Sequence, residues 1–135
     1  MGLKITFLGT GTSDGVPRLG CACSVCTSPD TRNRRNRSSI FVNWDDVNIL
    51  IDTPPEFRLA ALASGISSVD AVLYTHAHAD HIAGFDDLRR FSEQNESPLE
   101  LYVPPATVKI FKRSFLYAFG KPRQIGGGIP RVRLN

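Results

Sequence analysis

The sequence predicts an α/β domain spanning residues 1–135, and two observations carry that reading. Strand-like runs come first and are followed by alternating helical and strand-like segments, the order of a sheet with helices packed on it. At 135 residues and 41% hydrophobic, the chain is long enough to bury roughly two thirds of its unfolded surface around one core. A third observation says where function should sit. All three histidines of the chain fall between positions 76 and 81, at a junction of strand and helix.

Residues Lys4 to Leu8 alternate polar and apolar side chains and read as the first strand, followed by a loop from Gly9 to Gly20 punctuated by glycine and proline. A polar, arginine-rich stretch separates it from Ser39 to Asn43 and Val47 to Ile51. These two read as strands joined through Trp44-Asp45-Asp46 in an antiparallel hairpin. Pro54-Pro55 is tolerated in a first helical turn, so a helix is expected over Glu56 to Ala63, closed by Gly65. Asp70 to Thr75 reads as a buried strand and Ile82 to Phe91 as a helix. Leu99 to Val103 is a further strand, and Ala106 to Phe119 a helix ended by Gly120 and Pro122. Gly126 to Pro130 then forms a turn before the short strand Arg131 to Leu134.

The run Tyr74-Thr75-His76-Ala77-His78-Ala79-Asp80-His81 crowds imidazoles and a carboxylate, the ligand types that suit zinc and its first-row neighbours. If the chain stays extended, a period of two turns His76, His78 and Asp80 to one side while His81 enters the helix. One cation would then take His76 and His78, and a second Asp80 and His81. The competing readings are an N-cap role for Asp80 and buried, hydrogen-bonded imidazoles. Three histidines and an aspartate in one loop, with no histidine elsewhere, favour metal.

The stretch Thr75 to Gly84 resembles the His-x-His-x-Asp-His signature of the metallo-β-lactamase superfamily. Leu8-Gly9-Thr10-Gly11-Thr12 and Ile49-Leu50-Ile51-Asp52-Thr53 resemble that superfamily's opening elements. The resemblance implies an αββα sandwich with a dinuclear site at its edge, of which this chain supplies about the N-terminal half. It also implies that His76, His78, Asp80 and His81 hold two catalytic zinc ions, with manganese as the alternative. Asp80 and His81 then lie at the reacting centre, and Asp52 orients the metal loop by hydrogen bonds from outside the ligand set. Members of the superfamily place further ligands beyond this region, so the chain is expected to be an N-terminal fragment and a poor hydrolase alone.

Cys21, Cys23 and Cys26 are close enough in sequence to converge on one ion if their loop curls, the alternative being three small thiols buried in a tight turn. Gly-x-Pro-x-x-Gly-Cys-x-Cys-x-x-Cys, starting at Gly15, resembles the subgroup that contains the phosphoribosyl cyclic phosphate phosphodiesterases. There the cysteines hold a structural zinc, a third ion. The glycines from Gly9 to Gly15 are not followed by a Gly-Lys-Ser/Thr sequence, which excludes a P-loop; they are expected to let the first strand turn beneath the metal site. Arg32, Arg34, Arg35 and Arg37 either face solvent or grip a phosphate or an RNA backbone.

A formal net charge of +3 is a weak pointer to anionic substrates and makes no case for nucleic acid by itself. No apolar stretch approaches the ~20 residues of a membrane span, and the N-terminus lacks a signal-peptide layout, from which a cytoplasmic address without membrane partners is expected. Three cysteines do not make a closed disulfide framework. The first functional expectation is a metal-dependent phosphodiesterase acting on a small cyclic phosphate or nucleotide-like ester through a metal-activated water. An RNA-processing nuclease related to ribonuclease Z is the second, and a non-catalytic metal-binding fragment the third. Half a sandwich leaves an apolar sheet face uncovered, so aggregation or pairing with a partner chain, as in a homodimer, is also expected.

Overall fold

Six strands form one sheet in sequence order, in a computed structural model that describes residues 2–120 and 128–135. β1 (Leu3–Gly9), β2 (Ser39–Trp44) and β3 (Val47–Ile51) run antiparallel, with Trp44 opposite Val47 closing the predicted hairpin. β4 (Ala71–Leu73), β5 (Leu99–Tyr102) and β6 (Val132–Leu134) continue in parallel, each reached by a crossover. Five short helices make those crossovers: α1 (Phe57–Ala63), α2 (Ala79–Ile82), α3 (Arg89–Gln94), α4 (Val108–Ser114) and α5 (Leu116–Phe119). The tail turn expected over Gly126 to Pro130 lies partly outside the described residues.

The helices cover one face of the sheet. Leu8, Leu50, Val72, Leu99 and Leu101 point into it and are buried, against Phe57, Phe85, Leu88 and Phe111. Burying each such side chain stabilises the fold by about 1.5–3 kcal/mol. Phe111 is the hub: its ring centroid lies 4.7 Å from that of Tyr74, 5.5 Å from Phe85 and 5.1 Å from Phe115. On the opposite face, cross-strand pairing aligns Leu3 with Trp44, Ile5 with Val42, and Phe7 with Ile40. The same row continues through Ile49, Ala71 and Leu73 to Tyr102. This face is apolar yet open, with Phe7 65% and Trp44 61% exposed.

Two predicted helices are broken in the structure. The segment expected as Ile82 to Phe91 is α2, a 3-10 turn over Phe85–Leu88, and α3. The cause is contact at Gly84, whose N–H donates to the Thr53 carbonyl at 2.8 Å and where a Cβ would sit 2.6 Å from the Pro54 carbonyl oxygen. The Ala106 to Phe119 helix is likewise a 3-10 turn over Pro105–Thr107, then α4 and α5, interrupted at Phe115, whose φ of −117° and ψ of 48° are not helical. Phe115 leaves the helical path where its ring packs on Phe85, with centroids 4.3 Å apart. The fourth strand is shorter than Asp70 to Thr75, because Thr75 turns out of the sheet toward Asp52.

Candidate metal centre

Asp52 and Thr53 clamp both ends of the histidine loop. β3 ends at Ile51, and Asp52 takes φ of 60°, a left-handed conformation that aspartate tolerates better than most residues. The turn aims its buried carboxylate at the loop. Asp52 Oδ1 accepts from the Thr75 N–H at 2.8 Å, and Oδ2 accepts from the Thr75 hydroxyl at 2.7 Å and from His81 Nδ1 at 2.7 Å. Thr53 holds the far side through its N–H, which donates to the His81 carbonyl at 2.7 Å. Its hydroxyl shares a hydrogen bond of 2.9 Å with the Tyr74 phenol, whose complete burial pushes its ionisation far above the usual tyrosine range.

These bonds select the tautomers of two neutral imidazoles, His81 and His76. With Nδ1–H donated to Asp52, His81 turns the lone pair of Nε2 toward Asp80, whose Oδ2 lies 3.4 Å away. The Thr75 hydroxyl, having given its proton to Asp52, accepts from His76 Nδ1 at 3.0 Å, which leaves His76 Nε2 as a lone pair 3.2 Å from His78 Nδ1. Asp52 therefore orients one histidine directly and a second through Thr75.

The donor spacing fits metal. Tetrahedral zinc with bonds of ~2.0–2.1 Å holds adjacent nitrogen or oxygen donors about 3.3 Å apart. His76 with His78 at 3.2 Å, and Asp80 with His81 at 3.4 Å, bracket that value as two separate pairs. The rings of His76 and His81 lie 4.0 Å apart, so the pairs are neighbours. One expectation is corrected: the chain is extended only to His78, with ψ of 148°, and Asp80 lies inside the first turn of α2 rather than in an extended loop. Nor does Asp80 cap that helix, whose N-cap position is His78.

The three cysteine sulfurs all lie within 4.8 Å of one another, so the loop does curl. None is deeply buried, and Cys23 is exposed. The Cys26 backbone N–H, aided by the neighbouring thiols, lowers the Cys23 thiol to about 7. At Cys26 the backbone N–H of Arg18 pulls the other way, but the adjacent thiols and burial leave it raised. An electron-rich cluster with one thiol already acidic is a set of donors that a soft cation completes.

The arginine run is tied down at three of its four cationic positions. Arg32 pairs with Asp30 at 2.6 Å, Arg35 donates to the Thr10 hydroxyl at 3.1 Å, and Arg37 pairs with Glu56 while donating to the Ser13 carbonyl at 2.6 Å. Gly9 and Gly11 have no room for side chains against the backbone of residues 35–37, so the glycine loop is stitched to that segment. Ser38, whose hydroxyl donates to the Gly11 carbonyl at 3.0 Å, joins Ile40, Ile51, Asp52 and His81 around a cavity of about 200 Å³. Thr53, Thr75 and Tyr74 are the site residues that sequence reasoning missed. Their only signal was adjacency to Asp52 and His76.

Residues 47–135 match the beta-lactamase superfamily domain, and the chain belongs to the metallo-β-lactamase superfamily. A crystal structure of a new diphosphatase from the PhnP family superposes with a TM-score of 0.87 at 40% identity, covering 99% of this chain and 50% of that one. An octanoyltransferase of Porphyromonas gingivalis is 42% identical over 88% of this chain and 24% of its own length. The coenzyme PQQ synthesis protein B of Methylorubrum extorquens is 32% identical over 76% of this chain and 38% of its own. The chain thus spans well under half of these two curated relatives and half of the diphosphatase chain.

Proposed function

We propose that this chain carries the metal-binding part of a metal-dependent hydrolase that acts on small phosphate diesters or diphosphates. The observation that carries it is the pair of donor sets, His76 with His78 and Asp80 with His81, pre-oriented by one carboxylate, Asp52. Zinc, or manganese in its place, would supply Lewis acidity toward a phosphoryl oxygen and acidify water to near neutral pH. The chain's own part is to fix the imidazole tautomers through Asp52 and Thr75, and to shape the cavity at Ser38 and His81 that receives the ester. Cys21, Cys23 and Cys26 would hold a structural zinc that ties down the loop before Arg32. Likeness to a PhnP-family diphosphatase supports phosphorus as the centre attacked. Engagement of Arg32, Arg35 and Arg37 within the fold favours a small substrate over an RNA backbone.

The test is turnover of a chromogenic phosphodiester and of a nucleoside diphosphate, with zinc or manganese added to chelator-treated protein. Among the described residues each cation has two protein donors where three is usual for catalytic zinc, so turnover is expected to be slow, metal-dependent and lost in the His76→Ala/His78→Ala variant. Turnover that survives chelation, or a histidine loop that takes up no metal, overturns the reading.

A further inference from the structure

We propose that Cys23 and Cys26 form a reversible redox pair, in which oxidation by a peroxide closes a disulfide and expels the cation that the three reduced thiols hold. The expulsion rests on the assignment of these thiols to a structural zinc; the disulfide does not. The sulfurs are gathered before any bond forms, since all three lie within 4.8 Å of one another. Residues 23–27 wind into a single turn closed at Thr27, whose N–H and hydroxyl donate to the Cys23 carbonyl at 3.0 and 2.9 Å. Side chains three positions apart on such a turn are neighbours, with Cβ atoms ~5–6 Å apart, and a small closure brings them to the ~3.5–4.5 Å of a disulfide. Cys21 precedes the turn. Joining it to Cys23 would close a smaller and more strained ring, with one residue between the two cysteines instead of two.

The two partners differ in the way the chemistry needs. Cys23 is exposed, so peroxide reaches it first, whereas Cys26 is half-buried and its sulfur is held by the Arg18 N–H at 3.4 Å. The Cys23 thiolate attacks peroxide: an S–O bond forms, the O–O bond breaks, and sulfenic acid and hydroxide result. The Cys26 thiolate then attacks the Cys23 sulfur, forming the S–S bond and releasing the oxygen as a second hydroxide. The two sulfurs give up two electrons, which reduce the peroxide. Because Cys26 is already within reach, the sulfenic acid is captured before further peroxide drives it to the irreversible sulfinic acid. Thiolates bind zinc and disulfide sulfurs do not, so closure leaves Cys21 as the one donor of the three.

The test counts thiols and zinc in the His76→Ala/His78→Ala variant, where bound zinc reports on the thiol loop. Hydrogen peroxide at one equivalent should take the metal-free, reduced chain from three free thiols to one, with no link between chains, and a dithiol reductant should restore all three. Cys21→Ser should still close its disulfide, while Cys23→Ser and Cys26→Ser should lose thiols at least ~10-fold more slowly. In the zinc-loaded chain a chromogenic chelator should register zinc release as the disulfide forms, and the oxidised chain should bind zinc at least ~100-fold more weakly. A reduced chain that takes up no zinc overturns the structural-zinc reading and the expulsion with it, whereas the thiol counts decide the pair by themselves. Sulfinic acid at Cys23 without a disulfide, a disulfide between chains, equally fast thiol loss in Cys23→Ser, or zinc retained after oxidation each overturns the proposal.

Discussion

Replacing Asp52 by Asn separates the stability of the metal loop from its chemistry. Asp52 is 3% exposed and accepts three hydrogen bonds, from the Thr75 N–H, the Thr75 hydroxyl and His81 Nδ1. Asparagine tolerates the same left-handed backbone, and its carbonyl oxygen can keep the bond from the Thr75 N–H. Its amide, however, donates where a carboxylate oxygen accepted. Thr75 answers by rotating its hydroxyl, but His81 must present a lone pair at Nδ1 and so move its proton to Nε2, the atom that faces Asp80. A protonated Nε2 cannot bind metal. Exchanging a charged acceptor for a neutral one should cost about 1–3 kcal/mol of stability, whereas loss of an outer partner of a metal-bound histidine costs ~10–100-fold in affinity. Asp52→Ala should instead strand the Thr75 and His81 donors and cost about 2–5 kcal/mol. The assays are urea unfolding in chelator and zinc competition binding, both in a background with Cys21, Cys23 and Cys26 changed to Ser. Nitrogen NMR of His81 reads the tautomer directly. Unchanged zinc affinity in Asp52→Asn, with Nε2 still unprotonated, would refute the orienting role.

Further outcomes follow from the same geometry. His76→Ala with His78→Ala should remove the metal bound by the histidine loop while leaving the far-ultraviolet circular dichroism intact, because neither side chain belongs to the core; elemental analysis in the cysteine-free background measures it. Gly84→Ala would drive a Cβ to 2.6 Å from the Pro54 carbonyl, and should cost about 1–3 kcal/mol by overpacking and weaken metal binding by moving α2, read by thermal unfolding and zinc titration. In the metal-free chain Cys23, lowered to about 7, should be alkylated first, with its rate rising through pH 7, and zinc should protect all three thiols. Because the folded-state value lies below that of an unfolded thiol, this interaction favours the fold at alkaline pH and is lost as pH falls through 7. Serine at Cys21, Cys23 and Cys26 should lower stability in zinc more than in chelator, since a structural zinc contributes directly to folding.

The sequence alone determined the local parts of this protein: the positions of strands β1 to β6, the hairpin between β2 and β3, and the ligand loop itself. Each rests on neighbours in the chain, through periodicity, turn chemistry or spacing of a few residues, so it survives without knowledge of the rest. His76, His78, Asp80 and His81 were legible because all four lie within six adjacent residues. Only the tertiary structure decided how those donors are aimed. Asp52 reaches His81 across 29 positions, and Thr53 shares its bond with Tyr74 across 21, separations that no local pattern records. The helix after the loop broke at Gly84 because the backbone at Thr53 and Pro54 lies against it, and a distant contact of that kind overrides helical periodicity. The runs of β2 and β3 read as an antiparallel hairpin without showing which of their side chains meet the helices; folding put Phe41 and Leu50 on the helix-covered face and Val42 and Ile49 on the open one, because burial depends on what packs there and not on the strand's own residues.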